Sequence, residues 1–150
     1  MFSVLVYTIA MFYFQDFLRT YLFLIPLFVM VLCECAKVSI EWLKTGEWHR
    51  RLFRHGGMPS SHSAFVTSLL IIVERKTGLE SVEFAIAVIF ACIVWYDAIA
   101  VRGELDKQAK ALNLLQSVQI LAEDIGHSFL EVVGGILFGA IATAVGIWFS

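Results

Sequence analysis

Charged residues are scarce in this sequence. Only 16% of its 150 residues are Asp, Glu, Lys or Arg, and the formal net charge is −2. A chain without a basic excess lacks the signature of a nucleic-acid-binding protein. Hydrophobic residues make up 59% of the chain, against roughly 45–50% in soluble domains, and the mean hydropathy is +0.80. The composition predicts an integral membrane protein, and the length predicts a single domain over residues 1–150.

Cysteine is also sparse and shows no metal-binding or redox pattern. Cys33, Cys35 and Cys92 lie in or beside apolar runs, and no Cys-x-x-Cys sequence occurs. Three cysteines cannot all pair within one chain, so we interpret them as buried apolar residues. The N-terminus lacks a basic stretch and a small-residue cleavage site, which argues against a removable signal peptide.

Long apolar runs predict the membrane-spanning helices. Four such segments are separated by polar stretches: Tyr21–Leu43, Ser61–Val73, Val82–Val101 and Phe129–Phe149. Phe2–Phe14 is a candidate fifth, although at ~1.5 Å per residue it covers about 20 Å of a hydrocarbon core of ~30 Å. Glu104–Asp124 has apolar residues at helical spacing, which predicts an amphipathic helix along the membrane surface. The predicted fold is an all-α integral membrane helical bundle, with residues 1–20 as an N-terminal segment and residues 21–150 as its core.

One polar stretch stands at the start of the second span. It is Gly56-Gly57-Met58-Pro59-Ser60-Ser61-His62-Ser63, called the octapeptide below. Gly57 lets the backbone approach a ligand closely, and Pro59 fits the first turn of a helix. Ser60 and Ser61 place hydroxyls beside the unpaired N–H groups of that turn, which attract anions. The octapeptide therefore predicts a phosphate-binding helix start, although a plain loop and helix cap would use the same residues.

The alternation of spans brings the ionisable residues to one side of the membrane. Six of them lie at span ends that share this side: Lys37, His62, Asp97, Arg102, His127 and Glu131. Ionisable residues at membrane depth are energetically unfavourable and tend to be functional.

Each of these residues also has a purely structural interpretation. Lys37 can extend its amine to the lipid headgroups, and Asp97 can simply pair with Arg102. His127 and Glu131 are four residues apart, so they can form an ordinary contact on one helix face.

Basic residues are concentrated on the same side, including Lys44 and Arg51 in the loop before the octapeptide. An excess of Lys and Arg on short loops predicts a cytoplasmic location for that side, in the cell (inner) membrane. Residues that bind a phosphorylated substrate would add to the same excess.

Together these side chains are suited to phosphoryl transfer. A Glu131 carboxylate on one nitrogen of His127 leaves the other nitrogen nucleophilic, and His62, which titrates near neutral pH, can protonate a leaving alkoxide. Lys37, Arg102 and the helix-start N–H groups can neutralise the oxyanions of a five-coordinate phosphorus. This chemistry needs no metal or other cofactor. Metal binding by two histidines and two carboxylates is a weaker alternative, because the nearby cations disfavour a divalent ion.

Three blocks of residues follow one another along most of the chain, from about Cys35 to Gly139. They are the octapeptide, then Tyr96-Asp97-Ala98 with Val101-Arg102 and Gln108-Ala109, then Gly126-His127 with Glu131-Val132 and Gly134-Gly135. Together they resemble the divergent branch of the type 2 phosphatidic acid phosphatase superfamily, which includes the vanadium haloperoxidases.

The resemblance implies a role for each matching residue. His127 would be the nucleophile, Glu131 its orienting partner and His62 the general acid, with phosphate held at Ser60-Ser61. The leading lysine of the superfamily matches Lys37 best, although Lys44 with Arg51 seven residues later also fits the parent spacing.

The sequence also departs from the residue pattern of the parent superfamily, the type 2 phosphatidic acid phosphatases. Ser61 replaces a glycine, Glu131 replaces an aspartate, and Gly103 stands where the divergent branch has a second arginine. Leu121 stands where the parent has an arginine, six residues before the nucleophile.

The predicted function is hydrolysis of a phosphate monoester or diphosphate on a lipid, because the site lies at headgroup level. Headgroup binding without turnover is one alternative, and a small transporter or proton relay is another. Membrane lipids are the expected partners, and association into a homo-oligomer is left open.

Overall fold

The helices of the protein follow the apolar runs of its sequence. The computed structural model describes residues 13, 21, 23–46, 57–116, 118–123 and 125–148. These residues form five α-helices and one π-helical turn: α1 (Leu24–Thr45), α2 (Ser61–Thr77), α3 (Val82–Tyr96), the π turn (Asp97–Val101), α4 (Arg102–Leu115) and α5 (Phe129–Trp148). The described part of the chain contains no β-strand, and the predicted all-α fold is confirmed. The predicted segment Phe2–Phe14 lies outside the described residues, apart from Tyr13.

Two of the described helical segments are long and apolar enough to cross a membrane. They are Val82–Leu115, which is continuous through the π turn, and Phe129–Trp148. The other two predicted spans form helices of less apolar character. α1 carries Glu34, Lys37, Glu41 and Lys44, and α2 is only 17 residues long and begins with serines.

α2 lies at the centre of the bundle, because α1, α3 and α5 all pack against it. Its contact with α5 joins small residues at four-residue intervals: Gly135 lies against Ser60, Gly139 against Ala64 and Thr143 against Ser68. The Thr143 hydroxyl donates to Ser68 Oγ at 2.7 Å. Because the residue numbers of the contacting pairs rise together along the two helices, α2 and α5 run in the same direction and begin at the same end of the bundle.

The amphipathic helix differs from its prediction at both ends. α4 continues α3 without a break and ends at Leu115, whereas the sequence pattern predicted Glu104–Asp124. The side chain of Asn113 accounts for the early end. Its amide donates to the Leu121 carbonyl at 3.0 Å and accepts from the Leu121 N–H at 2.9 Å, which turns the chain back toward the helix.

α2 begins at Ser61, where the predicted span begins, but Pro59 does not lie in its first turn as expected. Ser60 is the N-cap, and its Oγ accepts from the Ser63 N–H at 3.4 Å. Pro59 therefore precedes the helix instead of occupying its first turn.

The expected burial of the cysteines is wrong for two of the three. Cys33 is buried, and its thiol donates to the Pro59 carbonyl at 3.6 Å. Cys35 and Cys92 are exposed on the outer faces of α1 and α3. Apolar residues such as these cysteines are expected on the lipid-facing surface of a membrane helix, because lipid tails are as apolar as a protein core.

The close approach of α2 and α5 predicts that Gly139→Ala destabilises the protein. A Cβ at Gly139 would collide with the Ala64 carbonyl oxygen and lie 2.8 Å from Ala64 Cα, so the helices would have to separate. Overpacking of this kind costs about 1–3 kcal/mol. Unfolding by SDS titration in mixed micelles measures the loss.

Gly146→Ala is the matched control in the same helix. Its Cβ would meet only Ile25 Cγ2, at an ordinary 3.5 Å. Equal stability of the two variants would contradict the close packing.

Candidate functional site

His127 precedes α5, and its side chain is held by Glu131. The imidazole Nδ1 lies 3.2 Å from Glu131 Oε2, and the His127 side chain is only 3% exposed. The same Glu131 oxygen accepts the Ser128 N–H at 2.9 Å, while the Ser128 hydroxyl accepts the Glu131 N–H at 3.3 Å. This reciprocal arrangement is a capping box, which fixes the carboxylate within the first turn of α5. With Nδ1 engaged by the carboxylate, Nε2 on the other side of the ring can act on a ligand.

The main chain that leads to His127 is bonded to the α3–α4 helix. The N–H groups of Ile125 and Gly126 donate to the two carboxylate oxygens of Asp106, at 2.7 and 2.8 Å. The His127 N–H donates to the Ala98 carbonyl at 2.9 Å. Ala98 lies in the π turn, where i→i+5 bonding shifts the carbonyls from their α-helical positions. Three successive N–H groups thus hold this loop against one helix.

The start of α2 lies beside α5 and α1. The Ser60 N–H donates to the main-chain carbonyl of Glu131 at 3.1 Å. Lys37 Nζ donates to Ser61 Oγ at 3.0 Å and pairs with Glu34 Oε1 at 2.9 Å. Because Lys37 is only 5% exposed, its amine lies within the bundle instead of extending to the headgroups.

Arg102 and His62 complete the cluster. Arg102 Nε lies 2.8 Å from Asp97 Oδ2, so the pairing considered from the sequence does form. The pair engages Nε, and the terminal amino groups of the guanidinium are suited to an oxyanion. His62 is exposed in the first turn of α2. Arg102, His127 and Lys37 all lie close enough to act electrostatically on its imidazole.

The surroundings of His127 favour its neutral form. Burial lowers the pKa of His127 below its ordinary value, and the charges of Lys37 and Arg102 lower it further. The hydrogen bond and the charge of Glu131 act in the opposite direction. The lowered pKa keeps the imidazole deprotonated at neutral pH, which is the form that a nucleophile requires.

The remaining candidates lie at or beyond the edge of this cluster. Gly57 has a φ of +88°, in the region that favours glycine. Lys44 is exposed in the last turn of α1, about 10 Å along the helix from Lys37 at 1.5 Å per residue. Of the two candidate lysines, Lys37 is therefore the one beside the start of α2. Arg51 lies outside the described residues.

No three His, Cys, Asp or Glu side chains in the described ranges converge as metal ligands would.

Three contributors to the cluster were missed from the sequence. The capping box had a visible signal, since Ser128 and Glu131 have its spacing before an apolar run. Asp106 and the Ala98 carbonyl had none, because both act through contacts between distant parts of the chain. The roles of the individual residues in catalysis remain predictions.

The fold and the clustered polar residues define a helical membrane protein with a candidate phosphate site at one end of its bundle. Residues 18–142 match the family described as the Divergent PAP2 family, where PAP2 denotes type 2 phosphatidic acid phosphatase. The chain belongs to this phosphatase-related family, and the resemblance carried by the three sequence blocks is confirmed.

This chain is similar to YuiD, a membrane protein of Bacillus subtilis (strain 168), along nearly the whole length of YuiD. The two are 32% identical over 156 aligned positions, which cover 90% of this chain and 99% of YuiD. No solved structure matches the chain.

The contact between His127 and Glu131 predicts the response of the histidine to Glu131→Gln. Without the carboxylate, burial and the charges of Lys37 and Arg102 act unopposed, so the pKa of His127 should fall further. Glutamine keeps an oxygen that can accept the Ser128 N–H, which preserves the start of α5. NMR titration of isotope-labelled histidine measures the change.

Glu104→Gln is the control, because Glu104 pairs with exposed Lys107 on the surface of α4. A His127 pKa that rises or stays constant in Glu131→Gln would contradict the geometry.

Proposed function

We propose that the protein hydrolyses a phosphate monoester or diphosphate carried by a lipid, through a phosphohistidine formed on His127 Nε2. The observation that supports it best is the pairing of His127 with Glu131, 3.2 Å apart, next to the start of α2. A carboxylate on Nδ1 orients the ring and stabilises the positive charge that develops as Nε2 attacks.

In the first step, His127 Nε2 attacks the terminal phosphorus and the bond from this phosphorus to the leaving oxygen breaks. That oxygen belongs to the lipid alcohol in a monoester and to the lipid monophosphate in a diphosphate. Protonated His62 donates its proton to that leaving oxygen. In the second step, neutral His62 removes a proton from water as the water oxygen attacks the phosphohistidine. Inorganic phosphate leaves and both histidines return to their starting forms.

Lys37, Arg102 and the first N–H groups of α2 would stabilise the developing negative charge. The Ser63 N–H already donates to Ser60 Oγ, so the N–H groups of Ser61 and His62, which precede any acceptor within their own helix, are the ones proposed to bind phosphate oxygens. Lys37 is buried, and preorganised donors contribute more than they would in water, because they need no rearrangement as charge develops.

A membrane lipid is the substrate partner in this proposal. The cluster lies at the ends of apolar helices, which corresponds to the depth of lipid headgroups. The positive-inside rule, applied to the basic residues on this side, favours the cytoplasmic face of the cell membrane for the site.

Headgroup binding without turnover is a second candidate, supported by two ion pairs. Lys37 is already bonded to Glu34 and Arg102 to Asp97, which reduces the charge each can offer to a transition state. A transporter or proton relay has less support, because the ionisable residues described above gather at one end of the bundle.

Phosphate release tests the proposal. Purified protein in detergent, with EDTA present, should release phosphate from at least one of phosphatidate, phosphatidylglycerol phosphate and a polyprenyl diphosphate. His127→Ala should abolish release because the nucleophile is lost. His62→Ala should lower kcat by about 10²–10⁴, the usual contribution of general acid–base catalysis.

Lys107→Ala is the control, because Lys107 pairs with Glu104 on the exposed face of α4. Release that persists in His127→Ala would contradict the phosphohistidine. Absence of release from every lipid, with headgroup binding that is lost in Lys37→Ala, would favour the binding protein instead.

The choice between the two lysines has its own test. Lys37→Ala should reduce kcat/KM by about 10²–10³, the usual loss when one charge-stabilising donor is removed. Lys44→Ala should reduce it less, because Lys44 lies two helical turns away on an exposed surface. A larger loss in Lys44→Ala would assign the leading lysine to Lys44.

A further inference from the structure

Asp106 is bonded to the loop that carries His127, yet it has no part in the proposed chemistry. Its Oδ1 accepts the Ile125 N–H at 2.7 Å and its Oδ2 accepts the Gly126 N–H at 2.8 Å. These are the two peptide groups immediately before His127. A carboxylate has two acceptor oxygens, and hydrogen bonds to an ionised group are stronger than neutral ones.

Gly126 lies in direct contact with the start of α4. A Cβ on Gly126 would come within 2.8 Å of Asp106 Oδ2, 3.0 Å of the Gly103 nitrogen and 3.1 Å of the Arg102 carbonyl carbon. The main chain beside the nucleophile therefore touches the main chain of Arg102, one of the proposed phosphate ligands. The distance between these two parts of the site is determined by this contact.

We infer that Asp106 is a positioning residue, which fixes His127 relative to the phosphate held by Arg102 and Lys37. The inference rests on the proposed function. Asp106 acts through the loop and touches no reacting atom, so its removal should leave phosphate binding intact while it misaligns Nε2. A misplacement of about 1 Å in a reacting group can lower a rate by about 10².

Kinetics of Asp106→Ala and Asp106→Asn provide the first test. Asp106→Ala should lower kcat per active site by about 10² with little change in KM. Asp106→Asn keeps one acceptor oxygen and should give an intermediate value. Rates are expressed per folded protein, counted from the labelled-histidine NMR signals of the same sample, so a loss of folded protein alone would not change kcat per site. Unchanged kcat per site in both variants would overturn the inference.

A second readout does not depend on turnover. Release of the loop should hydrate the His127 imidazole, so the pKa of His127 should rise toward its ordinary value in Asp106→Ala. The charged groups that act on His127, namely Glu131, Lys37 and Arg102, are the same in both proteins. NMR titration of labelled histidine measures the change in intact protein.

Two controls separate positioning from general loosening. Glu104→Ala removes another carboxylate of α4, whose partner Lys107 is exposed. Asn113→Ala releases the chain at Leu121, farther from His127. Neither control variant should change the pKa of His127.

An unchanged His127 pKa in both Asp106 variants would overturn the positioning role. A raised pKa in a protein that releases no phosphate would support the positioning role and overturn only the proposed function.

Discussion

The contact between the main chains of α2 and α5 is the constraint on which the rest of the structure depends. Lipid tails do not drive apolar helices together, so helices in a membrane associate through close packing and polar contacts. Gly135 and Gly139 permit that packing, because any side chain there would strike the backbone of Ser60 or Ala64. The two helix starts then come close enough for the Ser60 N–H to bond the Glu131 carbonyl. Through this contact, the octapeptide and the segment that carries His127 and Glu131 form one candidate site.

The cations of the site are each accompanied by a carboxylate. Lys37 is paired with Glu34, and Arg102 with Asp97. An unpaired charge at this depth would be strongly destabilising, so the pairs make it possible to keep two cations beside the apolar helices. The same pairs compete with a phosphate for the cations. In the proposed function, a phosphate ligand would therefore have to carry enough negative charge to replace the carboxylates.

The sequence was sufficient for the helices and for the end of the bundle at which the ionisable residues gather. Apolar runs mark the helices, and the alternation of spans brings Lys37, His62 and His127 together without knowledge of any side-chain contact. The end of α4 and the role of Asp106 could not be predicted in this way. Asn113 meets Leu121, and Asp106 meets Ile125 and Gly126, only after the chain has turned back. The periodicity of apolar residues within one segment carries no information about contacts with a segment farther along the chain.

The length of the α3–α4 helix has a consequence for how the site is assembled. Its 34 residues extend for about 50 Å, whereas the hydrocarbon core is ~30 Å thick, so α4 reaches beyond it. α4 nevertheless holds the His127 loop through Asp106, while Lys37 and Ser61 belong to α1 and α2 in the bundle. The proposed nucleophile and one proposed phosphate ligand are thus supported by different parts of the protein. The π turn joins the two parts, because its Ala98 carbonyl binds the His127 N–H at the junction of α3 and α4. The geometry of the site therefore depends on that turn as much as on the helix packing beneath it.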